Sequence, residues 1–241
     1  MKKCLTISIF LVFNVVIIAQ PSFGFKINGG VSSISDNGYN PSYETHTNYF
    51  KPSGQAGFFY NMPVRTHEIF GIELLFTQIE GKEKIGDTVG YSSSYGNTTN
   101  LLSTYTISKH ISYLSLPVHY GINVKKFTFN IGMQLWVRLL SSAQEVVQSN
   151  FSNNASGYGF NLNPSTTTYN YKRLSIKDVD FGQTVSIIYH ITGKFAIEGN
   201  YYYGFNNIYP NNRRTTEWRT QQMTLGLRYA FLTFKTKEIK S

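Results

Sequence analysis

Between Ile111 and Leu139 the chain alternates with little interruption. Phe127, Phe129, Ile131, Met133, Leu135, Val137 and Leu139 hold every second position, and Thr128, Asn130, Gly132, Gln134, Trp136 and Arg138 fill the gaps. Successive side chains of a strand point to opposite faces, so this spacing gives one apolar face and one polar, small-residue face. A helix would scatter the same residues around its circumference. The preceding stretch behaves alike, with Leu114, Leu116, Val118 and Tyr120 opposite Tyr113, Ser115, Pro117 and His119. Asn123-Val124-Lys125-Lys126 between them is a short polar connection of hairpin type.

The same unit recurs along the chain. Alternating stretches are predicted near 23–32, 55–62, 67–80, 105–121, 127–139, 179–190, 195–206 and 220–231, which makes eight strands. Their connections alternate in length. Residues 33–54, 81–104, 141–177 and 207–219 read as long loops rich in Ser, Asn, Thr, Tyr and Gly; residues 63–66, 122–126 and 191–194 read as tight turns.

Alternation alone does not say which face points inward. A secreted barrel with a buried apolar face would wet its polar face and carry charge there. Here charged residues are only 15% of the chain while aromatics reach 16%, and the polar faces carry Gly, Asn, Gln, Ser and Thr. Such faces suit the packed interior of a small barrel whose apolar exterior meets lipid. Unequal loops at the two ends, and aromatics near strand ends (Tyr60, Tyr120, Tyr189, Tyr201, Tyr203, Phe205, Tyr229 and Phe231), point the same way. The expectation is an all-β, eight-stranded antiparallel up-and-down transmembrane β-barrel, with short turns in the periplasm and long loops outside.

Export is written at the start. Met1-Lys2-Lys3 precedes an apolar run from Leu5 to Ala19 broken by Thr6, Ser8 and Asn14. A charged start, a short apolar stretch and a small residue at its end form a signal peptide, assigned here to residues 1–19, with 20–241 as the barrel domain. The run is shorter than the roughly 20 residues of a spanning helix. Cys4 is the one cysteine and has no lipobox before it, so the mature chain has neither disulfide nor thiolate chemistry. Loss of Lys2 and Lys3 lowers the net charge from +9 by two. An exported basic chain without a nucleic-acid motif is not expected to bind nucleic acid.

Several short stretches then resemble a known family. Lys26-Ile27-Asn28-Gly29-Gly30, Gly71-Ile72-Glu73-Leu74-Leu75-Phe76, Tyr113-Leu114-Ser115-Leu116-Pro117 and Phe129-Asn130-Ile131-Gly132 follow in order. Asp180-Phe181-Gly182, Tyr203-Gly204-Phe205-Asn206-Asn207-Ile208 and Leu225-Gly226-Leu227-Arg228-Tyr229 complete the set. In this order they resemble the outer-membrane β-barrel family of Bacteroidetes-type bacteria, often called porin-family proteins and including PorT-like proteins. The resemblance implies an eight-stranded outer-membrane barrel and, for a PorT-like member, a part in protein secretion.

With apolar faces outward, Lys26, Glu73, His119, Arg138, Asp180, His190, Glu198 and Arg228 fall inside. Eight strands enclose a space that side chains fill, and charges buried there must pair. Lys26, Glu73, Arg138, Asp180, Glu198 and Arg228 are therefore expected to form an interior polar network rather than a catalytic group. A narrow ion pathway is the alternative use of the same residues. His119, His190, His110, Ser112, Ser115 and Asp180 supply the residue types of a hydrolase, but no spacing sets a nucleophile beside a base. A lipid-modifying barrel hydrolase is thus the rival class, and no catalytic, cofactor or metal residues are assigned. His67-Glu68 lacks the second histidine of a zinc-helix motif. Lys82, Lys84, Lys172, Arg173, Lys177, Arg213, Arg214 and Arg219 lie on the long-loop side. Arg213, Arg214 and Arg219 are expected to contact lipopolysaccharide phosphates, which match the arginine fork. Expected partners are outer-membrane lipid and lipopolysaccharide, with envelope or secretion proteins beside them. The expected role is structural, adhesive or in assembly.

Overall fold

In a computed structural model, described over residues 21–36, 44–92, 98–153, 165–174, 176–208 and 218–233, the chain is built of antiparallel strands. They are β1 (Ser22–Asp36), β2 (Glu44–Arg65), β3 (Glu68–Ser92), β4 (Thr98–Val124), β5 (Phe127–Asn153), β6 (Ser165–Tyr171), β7 (Val179–His190), β8 (Phe195–Gly204) and β9 (Trp218–Thr233). The expected leader, residues 1–19, lies outside the described residues.

Eight of these strands close a ring. Going round, β1, β2, β3, β4, β5, β7, β8 and β9 each pair with the next, and β9 pairs back to β1 from Ser22↔Thr233 to Asp36↔Trp218. Closure matters because lipid offers no partner for a free backbone N–H or C=O. The apolar face points outward. In β3, Phe70, Ile72, Leu74 and Phe76 are exposed while Gly71, Glu73, Leu75 and Thr77 are buried. In β5, Phe129, Ile131 and Leu135 are exposed and Asn130, Gln134 and Trp136 buried. Burial inside and apolar exposure outside invert the usual soluble pattern, which is the pattern of a wall against lipid.

Aromatic girdles border this wall. At the short-turn end Phe23 stacks on Phe58 at 5.8 Å, Phe127 meets Tyr189 at 5.1 Å and Phe195 meets Tyr229 at 4.7 Å. Phe205 contacts Phe181 and Tyr203 at the other end. Inside, small residues let the neighbouring backbone approach. A Cβ at Gly226 would lie 2.1 Å from the Ile27 carbonyl oxygen, closer than any side chain tolerates.

The turn after β4 is tighter than the sequence indicated. Only Lys125 and Lys126 separate Val124 from Phe127, and Lys125 takes a φ of 54°. That left-handed conformation costs an L-residue about 1–2 kcal/mol and glycine almost nothing. Lys125→Gly is expected to stabilise the barrel by up to about 1 kcal/mol, and Lys125→Val to destabilise it. Urea unfolding in lipid vesicles measures both.

The expected long loops need correction. Residues 33–54, 81–104 and 141–177 are largely strand: β2 begins at Glu44, β3 runs to Ser92, β4 starts at Thr98 and β5 continues to Asn153. Within the last region a ninth strand, β6, pairs with β5 from Ala143↔Tyr171 to Ser149↔Ser165. The physical reason is the loss of lipid. Beyond the membrane neither face needs apolar residues, so alternation fades while the ladder goes on. β4 and β5 hold 27 residues each and β8 only ten. Crossing a membrane takes about 9–11. Among the described residues, one side of the barrel therefore rises as a tall wall, β2–β3–β4–β5–β6, and the strands of the other side end near the membrane.

Candidate functional site

The interior is filled in layers. Near the short turns, Asn130 donates to Ser186 Oγ at 2.9 Å, and Thr128 donates to Asn123 Oδ1 at 2.6 Å. His119 is buried beside Gly71, and His190 Nε2 lies 2.8 Å from Thr128 Oγ1 at the mouth, where the His190 side chain is exposed.

Above them sits a closed ring of four charges. Lys26 Nζ reaches Glu73 at 2.6 Å and Glu198 at 3.0 Å; an Arg228 guanidinium nitrogen reaches Glu73 at 2.9 Å and Glu198 at 3.1 Å. Each charge touches both opposite charges, and none has more than 3% of its side chain exposed. The Arg228 guanidinium also lies over the Phe59 ring at 4.0 Å. Two cations and two anions cancel, so the ring tolerates a dry interior that would expel an unpaired charge.

The next layer is hydroxyl and amide. Gln55 donates to Thr224 Oγ1 at 3.0 Å, and Thr77 and Ser115 hydroxyls meet at 2.8 Å. Higher still the filling turns apolar, which the sequence reading missed. Trp136 stacks on Tyr202 with centroids 4.1 Å apart and meets Tyr113 at 4.9 Å. Ile34, Ile79, Ile111, Ile176 and Ile208 join them in one buried cluster. Ile34, Ile79 and Ile111 occupy inward positions at the level where β3 and β4 leave the membrane. Their signal was a second apolar set appearing on the opposite parity to the lipid-facing one.

The six residues expected to share a network divide. Lys26, Glu73, Glu198 and Arg228 come together; Arg138 and Asp180 do not join them. Asp180 lies in the aromatic layer, accepting from the Thr220 hydroxyl and from the Phe181 N–H. Arg138 is displaced to the rim, where a bulge opposite Ser112 and Tyr113 shifts the β4–β5 register by one residue before the ladder continues. There it pairs with Asp178 and donates to the Leu174 carbonyl at 2.8 Å. That arrangement pins Leu174 and Asp178 over the outer end of the barrel. Lys177 N–H donates to Ile208 O, and Ile208 N–H to Trp218 O, knitting the cover to β9. Lys109 and Glu83, buried at 2.9 Å from one another, lie beneath Trp218, whose ring is 3.3 Å from Lys109 Nζ.

Of the three arginines expected at lipopolysaccharide, Arg213 and Arg214 lie outside the described residues. Arg219 donates to the Tyr203 hydroxyl at 3.1 Å. Lys84 is exposed, and Lys82 Nζ lies 6.0 Å from the centre of the Tyr49 ring. Among the described residues no group of three or more His, Cys, Asp or Glu is placed to hold a metal.

Comparison with known proteins gives low-identity likenesses and one family. The structure of Ail, the attachment invasion locus protein of Yersinia pestis, in complex with the heparin analogue sucrose octasulfate, is 12% identical. The match covers 89% of this chain and 100% of Ail, with a TM-score of 0.38. Neisserial surface protein A is 11% identical over 88% of this chain and 99% of its own, with a TM-score of 0.35. No curated protein matches. A family model described as an outer membrane protein beta-barrel domain matches residues 18–209, most of the closed ring and all of the tall wall. The chain belongs to this family of outer-membrane β-barrel proteins.

Proposed function

We propose that this is a non-enzymatic outer-membrane protein that holds a partner outside the cell, in adhesion or in envelope assembly. One observation carries the reading: among the described residues, the wall β2–β6 rises well past the apolar band on one side, above a barrel whose interior is packed. A filled eight-stranded barrel has no room for a solute path, and so much ordered strand outside the membrane is unnecessary for anchoring. The wall is the part left to act. A PorT-like role in secretion is one form of the same proposal, with a secretion component as the partner.

The test shortens the wall. Pairs Gly86↔Thr104 and Val147↔Thr167 allow residues 87–103 and 148–166 each to be replaced by Asn-Gly without shifting the ladder below. The shortened protein is expected to remain heat-modifiable and at normal surface level. Cells carrying it are expected to lose attachment, and its pull-down from intact envelopes to lose partner proteins. Unchanged attachment and pull-down would refute the proposal. Altered lipid composition in a deletion strain would assign a lipid-modifying enzyme instead.

We also propose a second contact, with lipopolysaccharide phosphates, through Arg213, Arg214 and Arg219, arginines that the sequence sets in or beside the connection between β8 and β9. Replacing all three by Gln is expected to reduce lipopolysaccharide co-purification and lower the melting temperature. If both stay unchanged, these arginines are ordinary solvated charge.

A further inference from the structure

The two margins of the tall wall are not alike. β6 is laddered to β5 on one side, and among the described residues no strand lies on its other side. All seven of its residues are exposed. Such an edge offers a row of N–H and C=O groups to any extended chain, and native proteins usually blunt it with charge, proline or a bulge. The opposite margin is blunted. From Glu44 to Phe50 the far side of β2 pairs with no strand among the described residues; this stretch carries Glu44 and His46 in its sequence, and it is followed directly by Lys51 and Pro52, where β1 takes up the pairing, and by an irregularity between Phe50 and Gly54 in the ladder with β3. β6, Ser-Thr-Thr-Thr-Tyr-Asn-Tyr, has no charge and no proline, and its ladder with β5 has no register shift. Five of its seven residues are Thr or Tyr, types that favour an extended chain.

We propose that the free edge of β6 receives an extended segment of another polypeptide, which adds to the wall as a further strand. This rests on reading the wall as a partner-binding surface, and it names how the partner is held. Backbone hydrogen bonds supply the attachment, and alternate side chains supply the selection. Tyr169 and Tyr171 share a face with Thr167, and the register continues that face through Val147 and Glu145 to Tyr105 and Ile107. The incoming segment therefore carries aromatic or β-branched side chains at every second position on that side. Thr166, Thr168 and Asn170 line the other side and take polar residues.

A second copy in the same membrane does not fit. Strands of such barrels tilt by about 35–45°, so a two-fold axis along the membrane normal would cross two β6 edges at about 70–90°. Crossed edges cannot ladder. Antiparallel pairing of two β6 edges requires one copy to be inverted, in a facing membrane. A segment free of the membrane has no such restriction.

The experiment uses the whole mature protein in lipid nanodiscs. The probe is a synthetic peptide of residues 141–151, which contains β6's own ladder partner from β5, N-methylated at alternate residues so that only one edge can pair. Saturable binding is expected. Successive residues of an edge strand aim their N–H groups alternately inward and outward, so Thr167→Pro and Thr168→Pro act differently. One is expected to detach β6 from β5, seen as protease sensitivity of the hairpin. The other is expected to leave the hairpin resistant and weaken the probe about ten-fold or more. Absent binding to a protease-resistant wall, or equal binding by the parent and both variants, would overturn the proposal. So would clustering of separate proteoliposomes that either proline abolishes, which would assign the edge to an inverted copy. Normal attachment of cells carrying the edge-selective proline overturns strand addition but leaves the adhesive reading standing; normal attachment with the shortened wall overturns that reading itself.

Discussion

Glu198→Leu is expected to lower the stability of the lipid-embedded barrel by about 3–5 kcal/mol, the cost of leaving a buried charge without its partner. Glu198 touches both Lys26 and Arg228, so its loss leaves two cations facing the single carboxylate of Glu73. No water reaches them to compensate, since all three are buried. Lys26→Met combined with Glu198→Leu removes one charge of each sign and leaves Arg228 with Glu73 as a neutral pair at 2.9 Å. The double variant is expected to be markedly more stable than Glu198→Leu alone. Urea unfolding in vesicles, followed by tryptophan fluorescence, measures both. Equal loss in the single and double variants would show that the four charges do not act as one ring.

The ring also shows how far sequence reasoning reaches. Parity alone placed Lys26, Glu73, Glu198 and Arg228 inside, because each sits opposite lipid-facing residues in its own strand. Parity does not give height. Arg138 and Asp180 share the inward parity, yet height takes Arg138 to the rim and Asp180 into the aromatic layer. Height depends on the shear between strands and on bulges such as that at Ser112 and Tyr113, which leave no composition signature. The lipid-facing stretches were legible because lipid forces every outward residue to be apolar. The outer wall was not, because water tolerates Thr, Asn and Tyr in either a strand or a loop. β6 could be read only from its partner, since Thr-rich alternation without an apolar face looks like a loop.

These two regimes divide the labour within the molecule. Below the rim, sequence is constrained on both faces, by lipid outside and by packing inside. Above it, β2 to β6 keep their ladder without the lipid constraint, and beyond the buried Glu83 and Lys109 pair with little interior packing, so the backbone itself is the ordered feature presented to the exterior. A surface of that kind suits recognition through main-chain groups, with side chains such as Tyr169 and Tyr171 setting preference.

Trp136→Ala is the second large effect. The indole is fully buried between Tyr202 and Tyr113, with ring centroids at 4.1 and 4.9 Å. Removing it deletes the largest side chain of the upper core, at a cost of about 3–5 kcal/mol. The variant is expected to melt earlier yet conduct no ions in planar bilayers. The void opens onto two remaining seals, the charge ring below and the cover of Ile176 and Ile208 above. Conductance is expected only when Trp136→Ala is joined to Ser at Lys26, Glu73, Glu198 and Arg228 and to Ala at Ile176 and Ile208, which opens the aromatic layer and both seals and removes the paired charges together. Steady conductance by Trp136→Ala alone would mean that the indole gates an existing path. In that case the barrel is a closed channel rather than a filled support, and the outer wall must be reconsidered as the approach to its mouth.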